Sequence, residues 1–357
     1  MSGLDDVIAA ETRLSEVDGA NGRLVICGHS LDSLAARKSY EAVLALLLPD
    51  LLSANEEAVR AELGQARLRV FREVAWLDAD LISLSVTEGL RALMARLPDG
   101  EDKSVALLQI AAPAVFLPAL IRVRQGQKPV PPHPGLSHAA DMLAMLNGRQ
   151  PTAAQAQALD TYLVTVSDHG LNASTFTARV VASTRAGYAS AVLAALGALK
   201  GPLHGGAPGP VLDMLDAIGM PDKAGPWIAA QLARGERLMG FGHRIYRVRD
   251  PRADALKAAL TRLGAAGGMN TNRLALAEAV EAAALSALRA AKPSRPLETN
   301  VEFFTALLLE ALGFPREAFT GVFAAGRVGG WVAHAHEQIE TGRLIRPQSR
   351  YVGPKAA

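Results

Sequence analysis

Beyond residue 30 the apolar positions recur mostly at three- and four-residue intervals, the spacing of helices that bury one face. Residues 152–166 form one such amphipathic helix, opened by a capping box at Thr152-Ala153-Ala154-Gln155. Ser53-Ala54-Asn55-Glu56 reads as a second capping box. Residues 187–200 make a helix of small side chains, suited to close helix–helix packing in a core or a dimer interface. Further helices are predicted over 211–218, 251–263, 271–291 and 303–312. A final helix carrying His334, His336 and Glu337 is expected to follow Gly326-Arg327-Val328-Gly329-Gly330-Trp331. Its histidines and glutamate read as solvated polarity rather than a metal site, since a third ligand is missing. Before residue 30 the pattern differs. Gly19, Gly22 and Gly28 surround a short apolar run at 23–27, which predicts one small strand or hairpin.

Two segments interrupt the helical pattern. The uncharged run 105–121 contains Gln109, Pro113 and Pro118 and falls short of the ~20 apolar residues a membrane span needs. The segment 128–135 carries four prolines and must be an extended loop, with His133 and His138 expected in solvent.

Composition turns the pattern into an all-α protein. Half of the 357 residues are hydrophobic but only 5% are aromatic, so Ala, Leu and Val must fill the core. Alanine and leucine are strong helix formers. The length allows one large core or two domains. Lys and Arg total 37 against 35 for Asp and Glu, which leaves no electrostatic footprint for nucleic acid. Clustered arginines are therefore local sites. The single cysteine, Cys27, excludes an internal disulfide and is expected as a buried, reduced thiol. The acidic start, Met-Ser-Gly-Leu-Asp-Asp, lacks the basic flank of an export signal, which predicts a cytoplasmic protein.

Candidate chemistry centres on 238–252. Gly240 and Gly242 would allow a tight turn and close approach to a ligand, His243 follows at once, and Arg244, Arg247, Arg249 and Arg252 come next. An imidazole beside several guanidiniums suits a small, multiply anionic substrate whose carbonyl must be polarised. His204 is enclosed by glycines, where packing alone would not demand it. His169, next to Gly170 past a helix end, suits either a C-terminal cap or a donor aimed into a cleft. Glu302 near a helix N-terminus is the ordinary response to the macrodipole unless other groups converge on it.

The order His169, His204, His243, Glu302, Arg327, Arg346 resembles the citrate synthase family across most of the chain. The likeness is densest at Gly-Pro-Leu-His204-Gly-Gly-Ala, at Gly-Phe-Gly-His243-Arg with Asp-Pro-Arg252, and at Asn-Val-Glu302-Phe-Phe. The resemblance implies a nearly all-helical homodimer. Residues 1–204 and 314–357 would form a large domain and 205–313 a small one, with oxaloacetate and an acyl-CoA binding between them. It implies Glu302 as the base that takes an α-proton from the thioester and His204 as the donor that holds the resulting enolate oxygen. His243 would donate to the keto oxygen, and His169, Arg252, Arg327 and Arg346 would hold the keto acid, Arg346 reaching across the dimer. Arg247, Arg295 and Lys292 match positions that meet the CoA phosphates. Coenzyme A thioester would enter as a co-substrate, with no tightly bound cofactor and no metal.

Two positions depart from the family pattern: Glu302 stands where aspartate is usual, and Gln348 where the tail commonly carries a second basic residue. Acetyl-CoA giving citrate is the leading reading. The alternatives are a 2-methylcitrate synthase using propionyl-CoA, or a paralogue that binds CoA or keto acid with little turnover.

Overall fold

The computed structural model describes residues 7–204, 208–291 and 297–354. It opens with a three-stranded antiparallel meander, β1 (Ser15–Asp18), β2 (Arg23–Ile26) and β3 (His29–Ser30). Ser15 pairs with Ile26 and Val25 with Ser30. The third strand extends the expected hairpin because Cys27 and Gly28 turn the chain at φ 48° and 81°. Cys27 is half-buried rather than buried, and loss of water still pushes its thiol up to about 11.

The remaining named elements are helices, and the fold is all-α. In order they are α1 (Leu31–Leu34), α2 (Tyr40–Leu47), α3 (Glu56–Phe71), α4 (Ala79–Ser83), α5 (Val86–Met94) and α6 (Lys103–Arg124). Then come α7 (His138–Asn147), α8 (Ala153–Val166), α9 (Ala173–Ala182), α10 (Tyr188–Leu199), α11 (Pro208–Ile218) and α12 (Ala224–Ala233). The last four are α13 (Pro251–Ala265), α14 (Thr271–Ala291), α15 (Val301–Ala311) and α16 (Phe319–Thr341).

Local chemistry starts these helices. At α8 the Thr152–Gln155 capping box forms in both directions. At α3 the cap is Asn55, whose Oδ1 accepts from the Glu57 and Ala58 N–H groups, so the expected box at Ser53 is displaced by two residues. Ser53 Oγ instead accepts from Asn55 N.

Helix α6 is the hydrophobic axis, with α3, α5, α7 and α16 packed around it. At 22 residues it is long and apolar enough to cross a membrane, contrary to the expectation from 105–121, but 94% of its most apolar stretch is buried inside the protein. Pro113 and Pro118 sit within it without ending it. Beside it, Ser137 caps α7 and turns His138 inward. There Nδ1 lies 3.3 Å from Arg67 Nη1, and Arg67 Nε donates to Asp141 at 2.6 Å. His138 is therefore a buried member of a charge cluster and not a solvated loop residue, whereas His133 is exposed.

The glycines 326–330 lie inside α16 instead of ahead of it. A Cβ on Gly326 would meet Val166 Cγ2 at 2.4 Å, and one on Gly330 would meet Ser167 O at 2.2 Å. Glycine here lets α16 lie directly on the end of α8. Enclosure of α16 also buries His334, His336 and Glu337, correcting their reading as solvated polarity.

Candidate active site

Backbone pairing assembles the site. An isolated bridge joins Phe241 to Thr299, Gly242 N donates to Glu298 O at 2.7 Å, and Asn300 N donates to Gly240 O at 2.9 Å. Gly240 has φ 84°, and a Cβ on it would meet Phe303 at 2.8 Å. Its glycine thus allows the close approach of this loop to α15. Asn300 Oδ1 accepts from Glu302 N at 3.0 Å and caps α15, so that helix begins at Val301 and holds Glu302 in its first turn. Asp250 caps α13 in the same way. Its carboxylate also grips Arg252 through Nε at 3.0 Å and Nη2 at 2.8 Å, and accepts from Val301 N at 3.2 Å.

These contacts open onto a cleft of about 460 Å³ lined by His169, His204, His243, Arg252, Glu302 and Arg327. Six residues expected from separate stretches therefore meet in one place. Arg247 and Arg346 are exposed and do not line this cleft. Lys292 and Arg295 lie outside the described residues.

Two of the imidazoles have their protons assigned by neighbours. His243 Nδ1 accepts from the Ile245 and Tyr246 N–H groups at 3.0 and 3.1 Å, so its proton sits on Nε2. That Nε2 lies 3.2 Å from Arg252 Nη2, and two donors converge where an acceptor oxygen is required. His204 Nε2 accepts from the Ser174 main-chain N–H at 3.3 Å and lies 2.8 Å from Ser174 Oγ, which leaves Nδ1 as the donor. Burial, with Arg252 beside one ring and Arg327 near the other, pulls both down to about 4. His169 lies well below the ordinary histidine range for the same reason, chiefly burial.

The carboxylate and the buried arginine are strained in complementary ways. Glu302 Oε2 is buried without a hydrogen-bond partner among the described residues, and burial raises the group to about 7, with Arg252 opposing and Asp250 reinforcing the rise. Arg327, 1% exposed, donates from Nε to Val166 O at 2.5 Å, and no described carboxylate forms a salt bridge with it. Burial pulls it down to about 10, with Asp168 giving partial relief, so it stays charged at neutral pH without a close counter-ion among the described residues. One cavity thus holds a cation without a close described counter-ion and a carboxylate of raised proton affinity.

The family model described as citrate synthase, C-terminal domain, matches residues 3–348. The chain belongs to the citrate synthase family. A citrate synthase of Haloferax volcanii is 39% identical over 99% of this chain and 96% of its own length. A 2-methylcitrate synthase of Mycobacterium tuberculosis is 36% identical, covering 98% and 90%. Among solved structures, citrate synthase of Pyrobaculum aerophilum superposes with a TM-score of 0.87 at 32% identity over 99% of this chain and 92% of its own. The ternary complex of Thermoplasma acidophilum citrate synthase with carboxymethyl coenzyme A and oxaloacetate gives 0.85 at 30%, covering 99% and 96%.

Several residues of this family member's site escaped the sequence reading. Ser174 and Tyr246 look like ordinary helix and core residues, and Asp250 like a plain helix cap. Asp168 anchors the turn that carries His169: it accepts from Ser15 Oγ at 2.5 Å and lies 3.2 Å from His334 Nε2. His334 Nδ1 in turn accepts from Arg179 Nε at 2.9 Å, and Arg179 also pairs with Glu337. The one available signal was the paired polarity of His334 and Glu337 on a single helix face, which serves this buried network.

Proposed function

We propose that this enzyme condenses an acyl-CoA with oxaloacetate, forming a carbon–carbon bond, and then hydrolyses the product thioester. The observation that carries the reading is the unpartnered, buried Oε2 of Glu302 in the same cleft as His204, His243 and the under-compensated Arg327. A thioester α-proton is far too weakly acidic for a free carboxylate, so the base needs both a raised proton affinity and a donor for the developing enolate oxygen. Glu302 supplies the first and His204 Nδ1–H the second. His243 Nε2–H and Arg252 Nη2 then share the keto oxygen as the new bond forms. His169, Arg252 and Arg327 hold the keto acid's carboxylates, with forked guanidiniums matching planar anions.

The wider organisation follows the family. Residues 1–204 and 314–357 form a large domain and 205–313 a small one, closing on the substrates to exclude water. The protein acts as a cytoplasmic homodimer, with Arg346 supplied by one protomer to its partner's site. Arg247, with Lys292 and Arg295, meets the CoA phosphates. Citrate from acetyl-CoA is the leading product. 2-Methylcitrate from propionyl-CoA is the second reading, supported by the similarity to the M. tuberculosis 2-methylcitrate synthase. One methyl group in a pocket is worth only ~1–3 kcal/mol.

The test is CoA thiol release by purified protein with oxaloacetate, comparing the two acyl donors. Higher kcat/KM with acetyl-CoA supports citrate synthesis, and preference for propionyl-CoA moves the product to 2-methylcitrate with the same residue roles. Glu302→Ala is expected to abolish release. Absence of release with either donor from folded parent protein overturns the condensing reading.

A further inference from the structure

Tyr246 sits where three cleft residues meet. Its hydroxyl lies 3.1 Å from His169 Nε2, its ring centroid 4.9 Å from that of His243, and the Arg252 guanidinium carbon 5.7 Å from its ring centroid. It is 3% exposed. We infer that Tyr246 is a positioning residue for the keto acid: its hydroxyl donates to His169 Nε2 and fixes that imidazole with its proton on Nδ1, as an N–H donor for a substrate oxygen.

Proton accounting at the two groups sets the tautomer. A buried phenol carries a single proton, and a buried donor is satisfied wherever an acceptor is in reach. The acceptor within hydrogen-bond distance among the described residues is His169 Nε2. Were Nε2 protonated, the hydroxyl would have to accept from it, and its own proton would be left without an acceptor among the described residues. Burial, with Arg252 and Arg327 nearby, keeps His169 neutral, so the ring holds one proton in total. Placing it on Nδ1 satisfies both groups. No hydrogen bond joins Nδ1 to another described residue, and the ring lines the cleft. Tyr246 thereby sets two histidines at once: its main-chain N–H pins His243 Nδ1 and its hydroxyl pins His169 Nε2. Each ring is left with an N–H for an anionic ligand. The substrate named here rests on the condensing reading of the cleft, whereas the tautomer rests on the protein's own contacts.

The variant Tyr246→Phe keeps the ring that packs on His243 and Arg252 and deletes only the hydroxyl. Two readouts are required. In ligand-free, ¹⁵N-histidine-labelled full-length protein, long-range ¹H–¹⁵N correlation reads the tautomer of each ring, with His169 assigned by its loss in His169→Gln. The parent is expected to show the proton on Nδ1 of His169, and Tyr246→Phe to move it to Nε2 or to a mixture. In steady-state kinetics the variant is expected to raise the KM for oxaloacetate about tenfold while kcat stays within about threefold, the pattern of lost uniform binding. A parent His169 protonated on Nε2, or an unchanged tautomer in Tyr246→Phe, overturns the assignment. An unchanged oxaloacetate KM in the variant overturns its role in binding. If the parent releases no CoA with either donor, the condensing reading fails, and the tautomer measurement still decides Tyr246.

Discussion

Glu302 combines a buried carboxylate oxygen, unpartnered among the described residues, with a proton affinity raised to about 7 by that burial. Both features oppose folding and favour proton abstraction, a combination expected at a functional position. The folded value lies above the unfolded 4.5, so between the two the native state binds more protons than the unfolded chain. Stability therefore falls as pH rises across that interval, by about 3 kcal/mol for a shift of this size. Glu302→Gln, which cannot ionise, should escape that loss. Urea unfolding of both proteins should show the variant gaining on the parent by roughly 2–3 kcal/mol between pH 5 and pH 8, while losing condensing activity. A pH-independent difference between the two would contradict the raised proton affinity. At this scale the sequence exposed cleft-lining groups because they stand in odd company: a histidine among glycines, arginines crowded beside an imidazole. It hid the groups that aim them. Asp250 is indistinguishable from any helix cap until its second oxygen is seen on Val301 N, and nothing in the local sequence of Tyr246 reports that its hydroxyl reaches His169.

Helix α16 positions the site through what its glycines omit. Gly326 and Gly330 bring it against Val166 and Ser167, which sets Arg327 Nε on Val166 O and backs the turn leading into Asp168 and His169. Replacing a helical glycine by alanine ordinarily stabilises, by roughly 0.5–1 kcal/mol. Gly330→Ala should do the reverse. Its Cβ would stand 2.2 Å from Ser167 O, a backbone atom that can move only with the turn. The expected cost is about 1–3 kcal/mol, as for other overpacked sites, read as a lower urea midpoint together with a raised KM for oxaloacetate. Gly225→Ala on α12, where nothing lies within 4 Å of the added carbon, is the control and should not destabilise. The sequence marked α8, α10, α11, α13, α14 and α15 to within a few residues because caps and periodicity are local. It misplaced the start of α16 because a glycine cluster reads as a loop unless the surface pressed against it is known. The same ignorance made His138 and His334 look solvated: burial of a polar residue is decided by partners such as Arg67, Asp168 and Arg179, far away in the chain.

Across the whole molecule, the proposed domain division places His169, His204 and Arg327 on one side of the cleft and His243, Arg252 and Glu302 on the other. Contacts already bridge them: Tyr246 reaches His169, and Arg247 N donates to Gly19 O at the tip of the β1–β2 hairpin. Arg346 differs from all of these. It sits exposed on the extended segment after α16 and lines no part of the cleft within its own chain. If a symmetric dimer carries it into the partner's site, each active centre needs Glu302 from one chain and Arg346 from the other. Arg346→Ala and Glu302→Gln should then be nearly inactive as separate homodimers. Mixing and subunit exchange produce about half heterodimers, each with one site intact in both residues and one site lacking both, so roughly a quarter of parental kcat should return. An Arg346 acting within its own chain predicts no recovery, because every site in the mixture would still lack one of the two groups. Activity followed against mixing ratio, with exchange verified by mass spectrometry of the native dimers, separates the outcomes: recovery peaking at equal proportions requires the arginine to cross the interface, and a flat baseline assigns it elsewhere.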